Sequence, residues 1–230
     1  MLNEWLIFSL ILLGIWLVIF IAKPRLRKEM FWVSLFTMPT GLTEPLFIPA
    51  YWSPPSLFNL NVKIGFDLES LIFAFAVAGI GAVLYEAFAP KIHKKMAMAE
   101  MHSKRHRFHK LALFSPAIIF LPLYLLTSLN IIYVSIIALF IGGVAAILCR
   151  PDLTQKILYG GALFFALYFV FFLFINLIFP GFVESVWNLS AISGILIVGV
   201  PLEELLYAFT FGMMWSSVYE HARWYKVADR

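Results

Sequence analysis

The chain reads as an all-α, polytopic membrane protein with seven transmembrane helices, arranged as two parallel three-helix repeats joined by a linking helix. Three observations lead there. Hydrophobic residues make up 62% and charged residues 13% of the 230 residues, with a mean hydropathy of +0.91, a balance outside that of soluble domains. Residues 67–86 (DLESLIFAFAVAGIGAVLYE) and 201–220 (PLEELLYAFTFGMMWSSVYE) align without a gap at an offset of 134, and seven of the twenty paired positions are identical. Finally, sixteen of the seventeen basic residues follow odd-numbered apolar segments.

A helix needs roughly 20 apolar residues to cross the hydrocarbon core. Segments 5–22, 30–48, 68–88, 111–128, 131–149, 157–179 and 201–219 meet that length. The first follows Asn3 and Glu4 and carries its basic cluster behind it, opposite to a secretory signal, so it reads as an uncleaved span. After the second span, Tyr51 and Trp52 suit the headgroup zone, and Pro54 with Pro55 holds the loop extended. Anchoring the outer belt and admitting a substrate both fit this loop. The fourth span, with Pro116 and Pro122, is the linker. Apolar residues 189–198 and Gly199 suggest a short interfacial or re-entrant segment before the seventh.

The duplication continues more weakly upstream. Asn3 with AKPRLRK is matched by Asn130 with CRPDLTQK at an offset of 127. A single membrane domain, 1–230, therefore divides into repeat one at 3–89, a linker loop and helix at 90–129, and repeat two at 130–221. Because the copies begin four spans apart, they run in the same direction through the bilayer.

Basic residues near span ends are retained on the cytoplasmic side. Lys23, Arg25, Arg27 and Lys28 follow the first span, seven residues from Lys91 to Lys110 the third, Arg150 and Lys156 the fifth, and Arg223, Lys226 and Arg230 the seventh; Lys63 alone lies opposite. The expected location is the cell membrane, multi-pass, with the N-terminus outside and the C-terminus cytoplasmic. The pI of 9.2 then reports orientation and attraction to membrane lipids, with no nucleic acid partner. The single cysteine, Cys149, excludes an intramolecular disulfide and suggests no thiol metal site. His102, His106 and His109 stand among Lys104, Arg105, Arg107 and Lys110, which reads as a solvated or lipid-facing basic segment. His221 beside Glu220 is too small a set for a metal. No nucleotide-binding glycine pattern occurs, and no cofactor or metal is expected.

Carboxylates in lipid are costly and point to function. The repeat sets Glu69 with Glu203 at one depth and Glu86 with Glu220 at another. Phe73 and Tyr207 follow the first pair by four residues, which stacks an aromatic beside each acid on one helical face. Glu204 adjoins Glu203 where the first copy has Ser70, and two adjacent carboxyls in a low dielectric are not both ionised cheaply. Glu44 lies at similar depth in the second span. A protonated acid among aromatic faces in a dry cavity suits carbocation chemistry. Glutamates in a first helical turn also complement the macrodipole. Glu86 and Glu220 are expected to pair with the basic face.

The helix opening PLEELLYAF, 201–209, its partner DLESLIFAF, 67–75, and the stretch TEPLFIPAYWSPPSLFNL, 43–60, resemble the membrane lycopene cyclases of the heterodimeric and fused bacterial, archaeal and fungal type. The resemblance implies a redox-neutral intramolecular lyase or isomerase that closes rings on the ends of lycopene or a related linear carotenoid within the bilayer. It implies Glu203 and Glu204 as the acid pair and Glu69 as the matching acid. Asp67 and Ser70 stand where the motif has Pro and Glu. Substrate-binding candidates are Glu44, Asp67, Phe73, Phe75, Tyr207, Phe209, Trp215, Tyr51 and Trp52. Association with itself or with other carotenoid enzymes stays open. A seven-span retinal protein would need a lysine in 201–219, which has none. A proton-coupled transporter or channel, and a non-catalytic carotenoid-binding subunit, remain the competing readings.

Overall fold

The structure, a computed structural model, describes residues 3–89 and 91–229. Pro90, at the border of the first repeat and the linker, and Arg230, one of the basic residues used for orientation, lie outside the described residues. The long helices are α1 (Glu4–Ala22), α2 (Arg27–Thr37), α3 (Leu68–Phe88), α4 (His109–Leu126), α5 (Ile131–Cys149), α6 (Thr154–Ile178) and α7 (Leu202–Arg223). Among the described residues, five helical segments are long and apolar enough to cross a membrane. The exceptions have sequence causes. Pro39 and Pro45 remove helix donors, and α2 passes into a 3-10 segment, Met38–Leu46. In α7, Glu203, Glu204, Glu220, His221 and Arg223 dilute the apolar character.

Corresponding starts and turns in the two halves have the same local structure. Asn3 and Asn130 cap α1 and α5, their side chains accepting from the amides of Leu6 and Ile132 at 3.0 and 3.2 Å. Such caps satisfy amides that a helix start leaves unpaired. The following turns, Pro24–Leu26 and Pro151–Leu153, are both one 3-10 turn opened by proline. Asp67 caps α3 by accepting from the Ser70 amide at 2.7 Å.

Helices α1 and α2 pack on α3, α5 and α6 pack on α7, and α3 and α7 pack on each other; α4 lies on α5. Lipid removes most of the hydrophobic drive for helix association, so close backbone approach and buried hydrogen bonds carry the contact. At Gly79 in α3 an added Cβ would lie 2.2 Å from the Ser34 hydroxyl and 2.3 Å from Trp16 Nε1. Those two groups are hydrogen-bonded at 2.9 Å. On Gly160 it would meet Ser216 Cβ at 2.5 Å, so α6 and α7 pack through small residues.

Loops close the two ends differently. Where α3 and α7 begin, the 46–67 and 179–201 connections pair as an isolated antiparallel bridge, Trp52 with Trp187. The Ser53 amide donates to Val186 O, and the Asn188 amide to Tyr51 O, both at 2.8 Å. At the other end, β1 (Lys91–Lys95) pairs antiparallel with β2 (Tyr225–Asp229), His93 opposite Val227. Apolar periodicity gave no sign of this small ladder, because neither strand alternates cleanly. Residues 189–199, expected as a short interfacial or re-entrant segment, form a 3-10 turn, Leu189–Ala191, and most of a two-rung hairpin that ends at Pro201, in which Val198 and Gly199 have φ of 53° and 77°.

Candidate functional site

An aromatic-walled cavity of about 380 Å³ lies between α1 and α3 on one side and α4, α5, α6 and α7 on the other, within the size range of small-molecule sites. Its polar wall carries Glu44, Ser70 and Glu204. Trp5 and Phe8 come from α1, Phe73 from α3, Tyr168 from α6, and Tyr207, Phe211 and Trp215 from α7. Tyr51, Trp52 and Trp187 roof it from the paired loops.

Glu204 is 5% exposed. Its Oε1 accepts from the Tyr51 hydroxyl at 2.5 Å and from Trp187 Nε1 at 2.9 Å. The loop pairing that aligns Tyr51 with Asn188 therefore also aims both donors at one carboxyl oxygen. Across the cavity, Ser70, which holds the position of Glu204 in the first copy, donates its hydroxyl to Glu44 Oε2. The 3-10 segment sets Glu44 there because Gly41 lets its backbone lie against α3. A Cβ at Gly41 would stand 2.6 Å from the Ser70 carbonyl oxygen. The other oxygen, Glu44 Oε1, is buried with no hydrogen-bond partner among the described residues.

Glu69 and Glu203, expected beside Glu204, are buried but absent from the cavity wall. Each fastens a loop. Glu69 Oε1 accepts from Asn3 Nδ2 at 2.5 Å and the Leu57 amide at 2.7 Å. Glu203 Oε1 accepts from the Tyr133 hydroxyl at 2.7 Å and the Ser193 amide at 2.9 Å. Each thus joins the first helix of its own half to the loop preceding its own helix. Adjacent helical residues differ by about 100° in direction, so Glu203 and Glu204 cannot face the same space.

The structure brings Glu44, Tyr51, Trp52, Phe73, Tyr207 and Trp215 of the expected substrate-binding set to the cavity. Three others lie elsewhere. Asp67 is occupied as the α3 cap. Phe75 packs against Trp16, ring centroids 5.1 Å apart, and Phe209 packs on a small cluster with Ile157 and Met213. Phe75 and Phe209 sit two residues beyond Phe73 and Tyr207, which turns them about 200° away. Sequence reasoning missed Trp5, Phe8, Tyr168 and Trp187, aromatics whose placement depends on neighbouring helices and loops.

The opposite ends of α3 and α7 hold a second buried cluster. Lys156 Nζ, 2% exposed as a residue, reaches Glu220 Oε1 at 2.5 Å, Glu86 Oε1 at 2.7 Å and Glu29 Oε1 at 3.3 Å. His93 Nε2 meets Glu220 Oε1 at 2.8 Å and Glu86 Oε1 at 3.0 Å. Burial by itself would lower the His93 pKa, but the hydrogen bonds to Glu220 and Glu86 and the nearby Glu29 charge raise it to about 10. The duplicated acids Glu86 and Glu220 thus share one ammonium, as the expected pairing with basic residues requires.

Residues 130–222 match the family model described as lycopene cyclase. No curated protein and no solved structure matches the chain.

Proposed function

We propose, from the lycopene cyclase match over residues 130–222, that the chain is a carotenoid cyclase closing rings on the ends of a linear carotenoid by redox-neutral acid catalysis. The observation that carries the reading is the aromatic cavity bearing Glu44 and Glu204 on its polar wall. In this reading the chain spans the bilayer seven times as two parallel halves, with its N-terminus outside and the linear carotenoid arriving from the lipid.

Ring closure begins when an acid protonates the terminal double bond and leaves a tertiary cation. The π electrons of a nearby internal double bond attack that carbon, forming the ring bond and a new tertiary cation. A base then removes a proton to form the ring double bond. One proton is added and one removed, so the product is an isomer and no oxidant or reductant is consumed.

Glu44 suits the donor role, since Oε1 has no competing partner and Ser70 fixes the other oxygen. Glu204 suits the acceptor role, held in one orientation by Tyr51 and Trp187. Phe73, Tyr207, Phe211 and Trp215 present π faces that stabilise a cation. The Trp52–Trp187 roof keeps water from capturing it. Glu69 and Glu203 act as positioning residues for that roof.

The test is expression in a bacterial host that accumulates lycopene, with pigments separated by chromatography. A cyclised isomer of unchanged mass is expected from the native chain. It should be lost in Glu44→Gln and in Glu204→Gln at matched protein levels. Unchanged lycopene in the presence of folded native protein refutes the activity. Cyclised product from the Glu44→Gln, Glu204→Gln double variant refutes the site.

A further inference from the structure

Of the three histidines expected in a solvated basic segment, His102 is exposed but His106 and His109 are buried, as are Cys149 and His221. His106 is 8%, His109 6%, Cys149 7% and His221 1% exposed. They gather where the 3-10 segment Lys104–Phe108 and the first turn of α4 meet the end of α5. We propose that His106, His109 and Cys149 form a zinc-class metal site that pins this connection to the second half of the molecule, apart from the cavity.

Three observations carry the assignment. The first is spacing: Cys149 Sγ lies 3.5 Å from His109 Nδ1 and 3.7 Å from His106 Nδ1. One ligand atom from each of the three residues falls within 4.8 Å of the others. Zinc bonds of about 2.3 Å to sulfur and about 2.0–2.1 Å to nitrogen at a tetrahedral angle set sulfur and nitrogen about 3.5 Å apart. The two sulfur–nitrogen separations already present are close to those a shared tetrahedral ion imposes.

The second is convergence. Both imidazoles aim Nδ1 at one sulfur, and a thiolate with two neutral imidazole nitrogens is a donor set that suits zinc. The third is orientation of the ligands from behind. His109 Nε2 lies 3.0 Å from the His221 carbonyl oxygen, so that nitrogen donates and Nδ1 is left free to ligate. Metal-bound histidines are held in this way, the far N–H given to a carbonyl or carboxylate. Trp224 stacks on the His109 ring at 3.7 Å and 16° and fixes its plane. The neighbouring Arg150 guanidinium is engaged by Asp152 at 2.8 and 2.7 Å, which offsets its charge.

Three protein ligands leave a fourth tetrahedral position for water. The bound ion would close a loop between residues 106 and 149 around the linking helix, favouring the folded connection over the open one. This role is independent of ring closure, and its test involves no pigment.

The full chain is purified in detergent, reduced, stripped with a chelator and titrated with cobalt(II), then zinc. A thiolate-to-cobalt charge-transfer band saturating at about one equivalent per chain is expected, displaced by zinc. Cys149→Ser should remove the band, while His106→Ala and His109→Ala weaken cobalt binding by at least roughly tenfold. His102→Ala, at an exposed position, should leave it unchanged. Cys149 is the single cysteine, so alkylation of the native protein reads this site without a variant, and saturating zinc should slow it at least about tenfold. Absence of the band in native protein, its persistence in Cys149→Ser, or alkylation indifferent to zinc would overturn the proposal.

Discussion

The two ends of α3 and α7 carry the same duplicated acids but treat them in opposite ways. At the C-terminal ends, Glu86 and Glu220 converge on Lys156 and His93. At the N-terminal ends, Glu69 and Glu203 diverge, each tied to its own half, and the cavity receives Glu204 and the unrelated Glu44. The corresponding acids Glu86 and Glu220 share the Lys156 ammonium and the His93 ring. In the proposed ring closure, donor and acceptor stand on different sides of the cavity. The departure of the first copy, Ser70 in place of a second glutamate, supplies that asymmetry, because Ser70 orients Glu44.

The largest expected break in this comparison is Glu204→Gln, which keeps shape and removes acid–base capacity. Ring closure should fall by about 10²–10⁴-fold, read as product per unit of folded protein by pigment chromatography, with thermal stability little changed. A comparable fall in stability together with activity would assign Glu204 to the scaffold.

At the opposite end, Lys156→Met should act on folding. Removing the ammonium leaves Glu29, Glu86 and Glu220 gathered in a buried space around His93 alone, a loss of roughly 3–5 kcal/mol. Denaturation in detergent reads it, and adding Glu86→Gln and Glu220→Gln should recover part of the loss. Recovery absent in the triple variant would show that Lys156 is held by packing rather than charge.

The His93 contribution has a definite pH sign. Its pKa in the fold, about 10, lies above the ordinary 6.5. The stabilisation it brings is therefore complete below about pH 6.5 and disappears as the pH climbs through about 10. Melting temperature should decline across that window, and His93→Gln should flatten the decline. Equal slopes in native and variant protein would exclude this linkage.

Smallest of all should be Glu203→Gln. Its hydrogen bonds to Tyr133 and Ser193 fasten a loop, so cyclised product should stay within about tenfold of native, measured as for Glu204→Gln. A loss equal to that variant would return Glu203 to the reacting pair.

Part of the cavity wall was legible from local pattern. An acid in an apolar run with an aromatic four residues later marked Glu69 with Phe73 and Glu203 with Tyr207, and the two aromatics reach the cavity while the two acids do not. Glu204, Glu44 and Tyr51 stood out separately, as the neighbour of Glu203, an acid at similar depth and a headgroup-zone aromatic. Phe75 and Phe209 were not separable from Phe73 and Tyr207 this way, since every direction around these helices is apolar and only packing decides which faces the cavity. The histidines misled for a related reason. Basic neighbours at Lys104, Arg105 and Arg107 suggested solvent, yet Trp224 covers His109 from 115 residues away.

Composition alone determined that the chain is built of membrane-length apolar helices, and its internal likeness determined which acids correspond, because both are properties of residue type and spacing. Tertiary structure decided which acid faces the cavity, which loop donors meet it, that Lys156 and His93 gather around three carboxylates and that two imidazoles converge on one sulfur. Those outcomes depend on helix rotation and on contacts between residues distant in the chain, and neither is encoded by spacing within a single segment.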